Sequence, residues 1–200
     1  MNSIVRINIA LLPPPTVAAQ ARTISSLLEN QGGFVLGEET SFPHVTLFMT
    51  DVPQKNIGAV ESLLAKLQPL QKMMLVPQEV YCQKESGYIE IAFECTEDLQ
   101  RLQYQIAESI IPLREGVSAH VSIYRNFTVP QQENIQKFGY PDMGDLFSPH
   151  ITFTRTDSPV LQEVLSSLPV FDFSFVPEYL ALSIAGEQGT CKKLITKFRI

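Results

Sequence analysis

Two seven-residue phrases of this sequence nearly repeat each other: Phe42-Pro43-His44-Val45-Thr46-Leu47-Phe48 and Ser148-Pro149-His150-Ile151-Thr152-Phe153-Thr154. Proline, histidine, a β-branched aliphatic and threonine recur in register, 106 residues apart, in a chain with only three histidines. Each copy has β-propensity, and its proline is tolerated because it stands at the strand start. Along a strand, side chains at i and i+2 share a face. His44 with Thr46, and His150 with Thr152, therefore each form a histidine–hydroxyl pair, with Val45 and Ile151 turned to the core. Two strands laid side by side would bring both pairs to one cleft.

Such a set suits a metal-free reaction at a phosphodiester. A neutral imidazole removes a proton from the attacking oxygen, and an imidazolium gives one to the leaving oxygen. The hydroxyls donate to the non-bridging phosphate oxygens as charge builds there. Histidine fits both proton-transfer roles because its ordinary pKa, about 6.5, lies near neutrality. A structural role is the usual reading of one such motif, but it does not explain the matching proline, histidine and threonine of a second copy. Which histidine is base and which is acid is open at this level.

The flanking sequence supplies strands and helices in alternation. Ile4–Leu12 alternates as a strand that Pro13-Pro14-Pro15 ends, and the helical spacing of Val17, Ala21, Ile24, Leu27 and Leu28 follows. Phe34–Leu36 and Phe42–Met49 read as extended. A second helix follows Pro53, with Gln68-Pro69 closing it. Met73–Cys82 and Tyr88–Cys95 read as a hairpin around Gly87, and Thr96 caps a third helix to near Pro112. Arg114–Phe147 is irregular, with a helix from Val129-Pro130 to Phe138, and is where a substrate loop is expected. Ser148–Arg155 is strand-like, Ser158-Pro159 opens a short helix to Leu168, and Val170–Val176 alternates. Tyr179–Ala185 and Cys191–Ile200 form a closing hairpin. Hairpins predict antiparallel or mixed sheets and an α+β class.

Charge and cysteine usage bound the partners. Fifteen Lys and Arg against 21 Asp and Glu give a net charge of −6, which excludes extended nucleic-acid binding by phosphate neutralisation. A small or terminal phosphate remains allowed. Cys82, Cys95 and Cys191 are odd in number and without metal-ligand spacing, so neither a disulfide framework nor a metal is expected. The apolar run Ile7–Leu12 is too short for a membrane span, and a cytoplasmic chain is expected.

The paired motifs resemble those of the 2H phosphoesterase superfamily, which includes bacterial RNA 2′,3′-cyclic phosphodiesterases, also called 2′-5′ RNA ligases. In that family the first motif follows an N-terminal strand and helix, and the second reads Pro-His-x-Thr followed shortly by Arg, as Pro149 to Arg155 does here. The resemblance implies one domain over residues 1–200 with a pseudo-twofold, two-lobed α+β fold. Antiparallel or mixed sheets line a central cleft, with helices outside and one motif from each lobe. It implies His44 and His150 as catalytic residues, Thr46 and Thr152 as phosphate-binding residues, and Arg155 as a candidate substrate contact, with no metal and no cofactor. The implied activity is hydrolysis of a 2′,3′-cyclic phosphate on a small nucleotide or an RNA terminus, by a monomer. Three alternatives stand beside it: 2′-5′ ligation or 2′-5′ oligonucleotide cleavage, ADP-ribose cyclic phosphate hydrolysis, and a nucleotide-binding module without turnover. His120, in Ala119-His120-Val121-Ser122, lacks both the preceding proline and the following arginine, and reads as a loop or core residue. Lys84, Tyr88, Tyr124, Arg125 and Tyr140 read as ordinary surface or core.

Overall fold

Strand β1, Ile4–Leu12, carries isoleucine and leucine at alternate positions and runs down the middle of a sheet. Its Ile7, Ile9 and Leu11 are fully buried. The computed structural model describes residues 3–31, 33–67, 73–83, 86–116, 127–156 and 162–200. Pro14 stands before helix α1, Pro15–Leu27, whose first position takes a proline because its missing N–H would be unpaired there anyway. The helix buries Val17, Ala21 and Ile24. Strand β2, Val45–Pro53, pairs antiparallel with β1 and is followed by α2, Ile57–Lys66.

The second half repeats the plan with different lengths. Strands β3, Pro77–Cys82, and β4, Tyr88–Phe93, form an antiparallel hairpin. Helix α3, Glu97–Ile110, begins at Thr96, whose hydroxyl accepts from the Leu99 N–H at 3.3 Å, with Glu97 and Asp98 in the first turn where the helix dipole favours acids. Helix α4, Val129–Phe138, has a capping box between Thr128 and Gln131 and ends at Gly139, whose φ of 75° favours glycine. Strand β5, His150–Arg155, joins the β4 edge, and short helix α5, Gln162–Ser166, precedes the closing hairpin of β6, Tyr179–Ala185, and β7, Cys191–Arg199.

The result is α+β, with a four-stranded sheet ordered β2-β1-β6-β7 and a three-stranded sheet ordered β3-β4-β5. The two motif strands do not lie side by side; they sit in different sheets, each at an edge and each against one inner neighbour. Both carry the same irregularity. A register shift leaves Leu47 unpaired after Thr46 on β2 and Phe153 unpaired after Thr152 on β5, one bulge per motif. The helices bind the halves together: α1, which leaves β1, packs against β5, and α3, which leaves β4, packs against β2. Buried apolar side chains from both sheets and from α1, α2 and α3 form one cluster.

Three expected extended pieces differ from the structure. Phe34–Leu36 forms no ladder, because its backbone bonds side chains instead: the Leu36 N–H donates to Ser25 Oγ at 2.8 Å, and the Phe34 carbonyl accepts from Thr154 Oγ1 at 2.7 Å. Val170–Val176 alternates in burial, with Phe173 and Phe175 inside, yet among the described residues it pairs through one bridge only, Phe175 to Leu75. The Leu75 side of that bridge likewise stands apart from β3, which begins at Pro77. The helix start at Ser158-Pro159, the Gln68-Pro69 stop, Lys84, His120, Tyr124 and Arg125 lie outside the described residues.

Candidate active site

His44 ends a short coil, one residue before β2, and His150 opens β5. In each motif the residue two before the histidine holds the ring. His44 Nδ1 donates to the Phe42 carbonyl at 2.8 Å, and His150 Nδ1 to the Ser148 carbonyl at 2.7 Å. The proline between them accounts for this arrangement, since it keeps the preceding residue extended and its own nitrogen has no hydrogen to compete. With Nδ1–H anchored, Nε2 is the nitrogen left to each site.

The two Nε2 atoms then meet opposite chemistry. His44 Nε2 is 3.2 Å from Asn8 Nδ2, an amide donor on β1, so the ring accepts there and is neutral. The same amide donates to Thr46 Oγ1 at 3.0 Å, which leaves the Thr46 proton free to point elsewhere. Burial pushes the His44 pKa below its ordinary value, and the Phe42 and Gly189 carbonyls oppose that shift. Asn8 is 0% exposed, and its Oδ1 has no hydrogen-bond partner among the described residues.

His150 Nε2 instead faces an anion, Glu90 Oε1 on β4, at 3.3 Å. Thr152 Oγ1 donates to that same oxygen at 3.0 Å. Glu90 is 2% exposed, against 32% for the His150 side chain, and its other oxygen accepts from Tyr81 OH at 3.0 Å and Gln83 Nε2 at 2.7 Å. A buried carboxylate survives only when paired and hydrogen-bonded in this way. Burial and the Glu90 charge together push the Tyr81 phenol up to about 12. Asp142 is nearby; burial raises its pKa, the Gln131 hydrogen bond and His150 lower it, and Glu90 raises it.

All four motif side chains, His44, Thr46, His150 and Thr152, line one cavity of about 500 Å³ together with Glu90 and Asp142. Phe34, Tyr88, Phe127, Tyr140 and Phe147 give it aromatic wall. That volume is of ligand-site size. Tyr88 and Tyr140, which the sequence reads as ordinary positions, are thus part of the wall. Arg155 contacts the wall without lining it: its Nε donates to the Ser86 carbonyl at 2.9 Å, and its guanidinium carbon lies 5.8 Å from the Tyr88 ring centre.

Asn8, Glu90 and Asp142 escape the motif reading. The first two leave a signal in the sequence, since Ile7-Asn8-Ile9 and Ile89-Glu90-Ile91 each set one polar residue inside an apolar strand, where an unexplained polar group calls for a partner. Asp142 stands in a loop and has no such signature.

No family model matches this chain, and no curated protein sequence does. Solved structures do, along nearly the whole of each chain. Escherichia coli LigT complexed with 3′-AMP is 14% identical with a TM-score of 0.62, covering 99% of both chains. LigT complexed with phosphate is 13% identical with a TM-score of 0.61, covering 98% of both. A Thermus thermophilus protein is 18% identical with a TM-score of 0.62, covering 97% of both. Another similar chain is described as a phosphoesterase, at 13% identity and a TM-score of 0.63. With two edge motif strands meeting at one cavity and full-length structural likeness to LigT, the chain carries the fold of the 2H phosphoesterase superfamily, which its paired motifs resemble.

Proposed function

We propose that this chain is a metal-independent phosphodiesterase that opens a 2′,3′-cyclic phosphate on a nucleotide or an RNA end. The observation that carries this reading is the opposite partnering of the two imidazoles at one cavity: a donor amide against His44 Nε2, a carboxylate against His150 Nε2. His44 serves as the base. Its Nε2 gives up the Asn8 amide hydrogen bond and takes a proton from water as the water oxygen bonds to phosphorus. His150 serves as the acid, and its Nε2 proton passes to the ribose oxygen as the phosphorus–oxygen bond of the ring breaks. The product is a phosphomonoester, and the two rings exchange protonation states until solvent resets them. Thr46, with its proton free, donates to a non-bridging oxygen.

The similar structures agree with an occupant of this class, since LigT has been crystallised with phosphate and with 3′-AMP. The aromatic wall suits a stacked base, and one terminal phosphodiester suits a chain of net charge −6. On this reading the two halves act as one unit, each giving one histidine. The test is turnover of a nucleoside 2′,3′-cyclic phosphate in chelator, assayed beside a 2′-5′-linked dinucleotide and ADP-ribose cyclic phosphate. His44→Ala and His150→Ala should each lose about 10²–10⁴-fold. Wild-type turnover in either variant, or loss of activity with chelator, contradicts the proposal.

A further inference from the structure

We infer that Glu90 is a positioning residue: its carboxylate is the resting acceptor for His150 Nε2 and the Thr152 hydroxyl, and it holds the place into which the substrate phosphate must move. The inference rests on the site proposed above, and it concerns what occupies the phosphate position before substrate enters.

Glu90 Oε1 collects the Thr152 hydroxyl proton at 3.0 Å and faces His150 Nε2 at 3.3 Å. These are the two donors that the second motif offers the cavity. A hydroxyl has one proton, so Thr152 cannot give it to Glu90 and to a phosphate oxygen together. On the other side of the cavity, Asn8 donates to Thr46 and leaves that proton free. A phosphate entering the site thus meets one ready hydroxyl and two donors held by a carboxylate, and it takes them over by replacing Glu90 Oε1 as their acceptor. Tyr81 OH and Gln83 Nε2, both on Oε2, keep the displaced carboxylate hydrogen-bonded.

The carboxylate also repels an incoming phosphate, so Glu90 weakens the hold of the resting site on anions. Among the described residues, the other titratable groups at the Glu90–His150 pair are Tyr81 from β3, Asp142 from the loop between α4 and β5, and His44, Tyr88 and Tyr140 of the same cavity. Arg155, on the His150 strand, is engaged with Ser86 and Tyr88.

The experiment uses the full chain and a readout that does not depend on turnover, calorimetric binding of inorganic phosphate. In Glu90→Gln phosphate should bind about tenfold more tightly, because the competing acceptor and its like charge are gone. Tyr81→Phe removes one donor from the carboxylate and concentrates its charge, so phosphate binding should weaken there. That variant changes a partly exposed position and stands in should Glu90→Gln not fold. A merely structural Glu90 would leave phosphate binding unchanged or loosen it in Glu90→Gln, and either result overturns the inference. If His150→Ala keeps wild-type turnover while phosphate binding shifts as stated, the acid role fails and the inference on Glu90 stands. If His150→Ala is inactive and phosphate binding does not shift, Glu90 alone is excluded.

Discussion

The two motif halves share their backbone and differ in what surrounds their rings. Each has an x-Pro-His turn that anchors Nδ1 on the carbonyl two residues back, an edge strand, and a bulge after the threonine. The first half then sets an amide against Nε2 and the second a carboxylate. A pseudo-twofold repeat can thus set two identical side chains against different partners, because the inner strands β1 and β4 carry different polar residues. The motif supplies the side chains, and the neighbouring strand supplies what each of them faces.

Making the first half resemble the second is the strongest way to break that comparison. Asn8→Asp puts an anion against His44 Nε2, which favours a protonated ring and so removes the proposed base. Its kcat/KM for a 2′,3′-cyclic phosphate should fall about 100-fold near neutral pH. The rising acidic limb of the pH–rate profile, which in the wild type should lie below about 6.5 because burial depresses His44, should move to higher pH. An unchanged limb would mean that Asn8 does not set the state of His44.

The threonines give a smaller contrast. Thr46→Val removes a free donor and should raise KM about tenfold, whereas Thr152→Val removes a donor already bound to Glu90 and should raise KM by about threefold or less. Equal effects in steady-state kinetics would argue that both hydroxyls contact the phosphate alike. Smallest of all is Arg155→Ala. Since Arg155 holds the Ser86 and Tyr88 wall, kcat should stay within about twofold, with the change appearing in KM and, modestly, in thermal stability.

Much of this was legible in the amino-acid order, for identifiable reasons. Ile4–Leu12 alternates and is stopped by prolines, so its strand is observed at those bounds. Thr96 with Glu97 and Asp98 marks a helix start through local hydrogen bonding and charge, and the helix begins there. Local signals of that kind survive folding. Phe173 and Phe175 alternate in burial as a strand does, yet whether a ladder forms depends on a partner elsewhere, and among the described residues the backbone of this segment is bridged only at Phe175, by Leu75. The same limit applies to the site. His44, Thr46, His150 and Thr152 announce themselves by repetition, whereas Glu90 and Asn8 reach the site through contacts between strands that no spacing along the chain encodes. Strict alternation would also set Arg155 on the face opposite His150; the bulge at Phe153 breaks that count, and the side chain ends against the cavity wall.

The pH dependence of kcat/KM for a nucleoside 2′,3′-cyclic phosphate, measured for the wild type and for His44→Ala and His150→Ala, tests the division of roles most directly. A bell is expected for the wild type. The residual activity of His44→Ala should lose the acidic limb and keep the alkaline one, and that of His150→Ala should do the reverse. Limbs lost in the opposite order would exchange the base and the acid, and a profile unaltered in both variants would contradict two-histidine catalysis at this cavity.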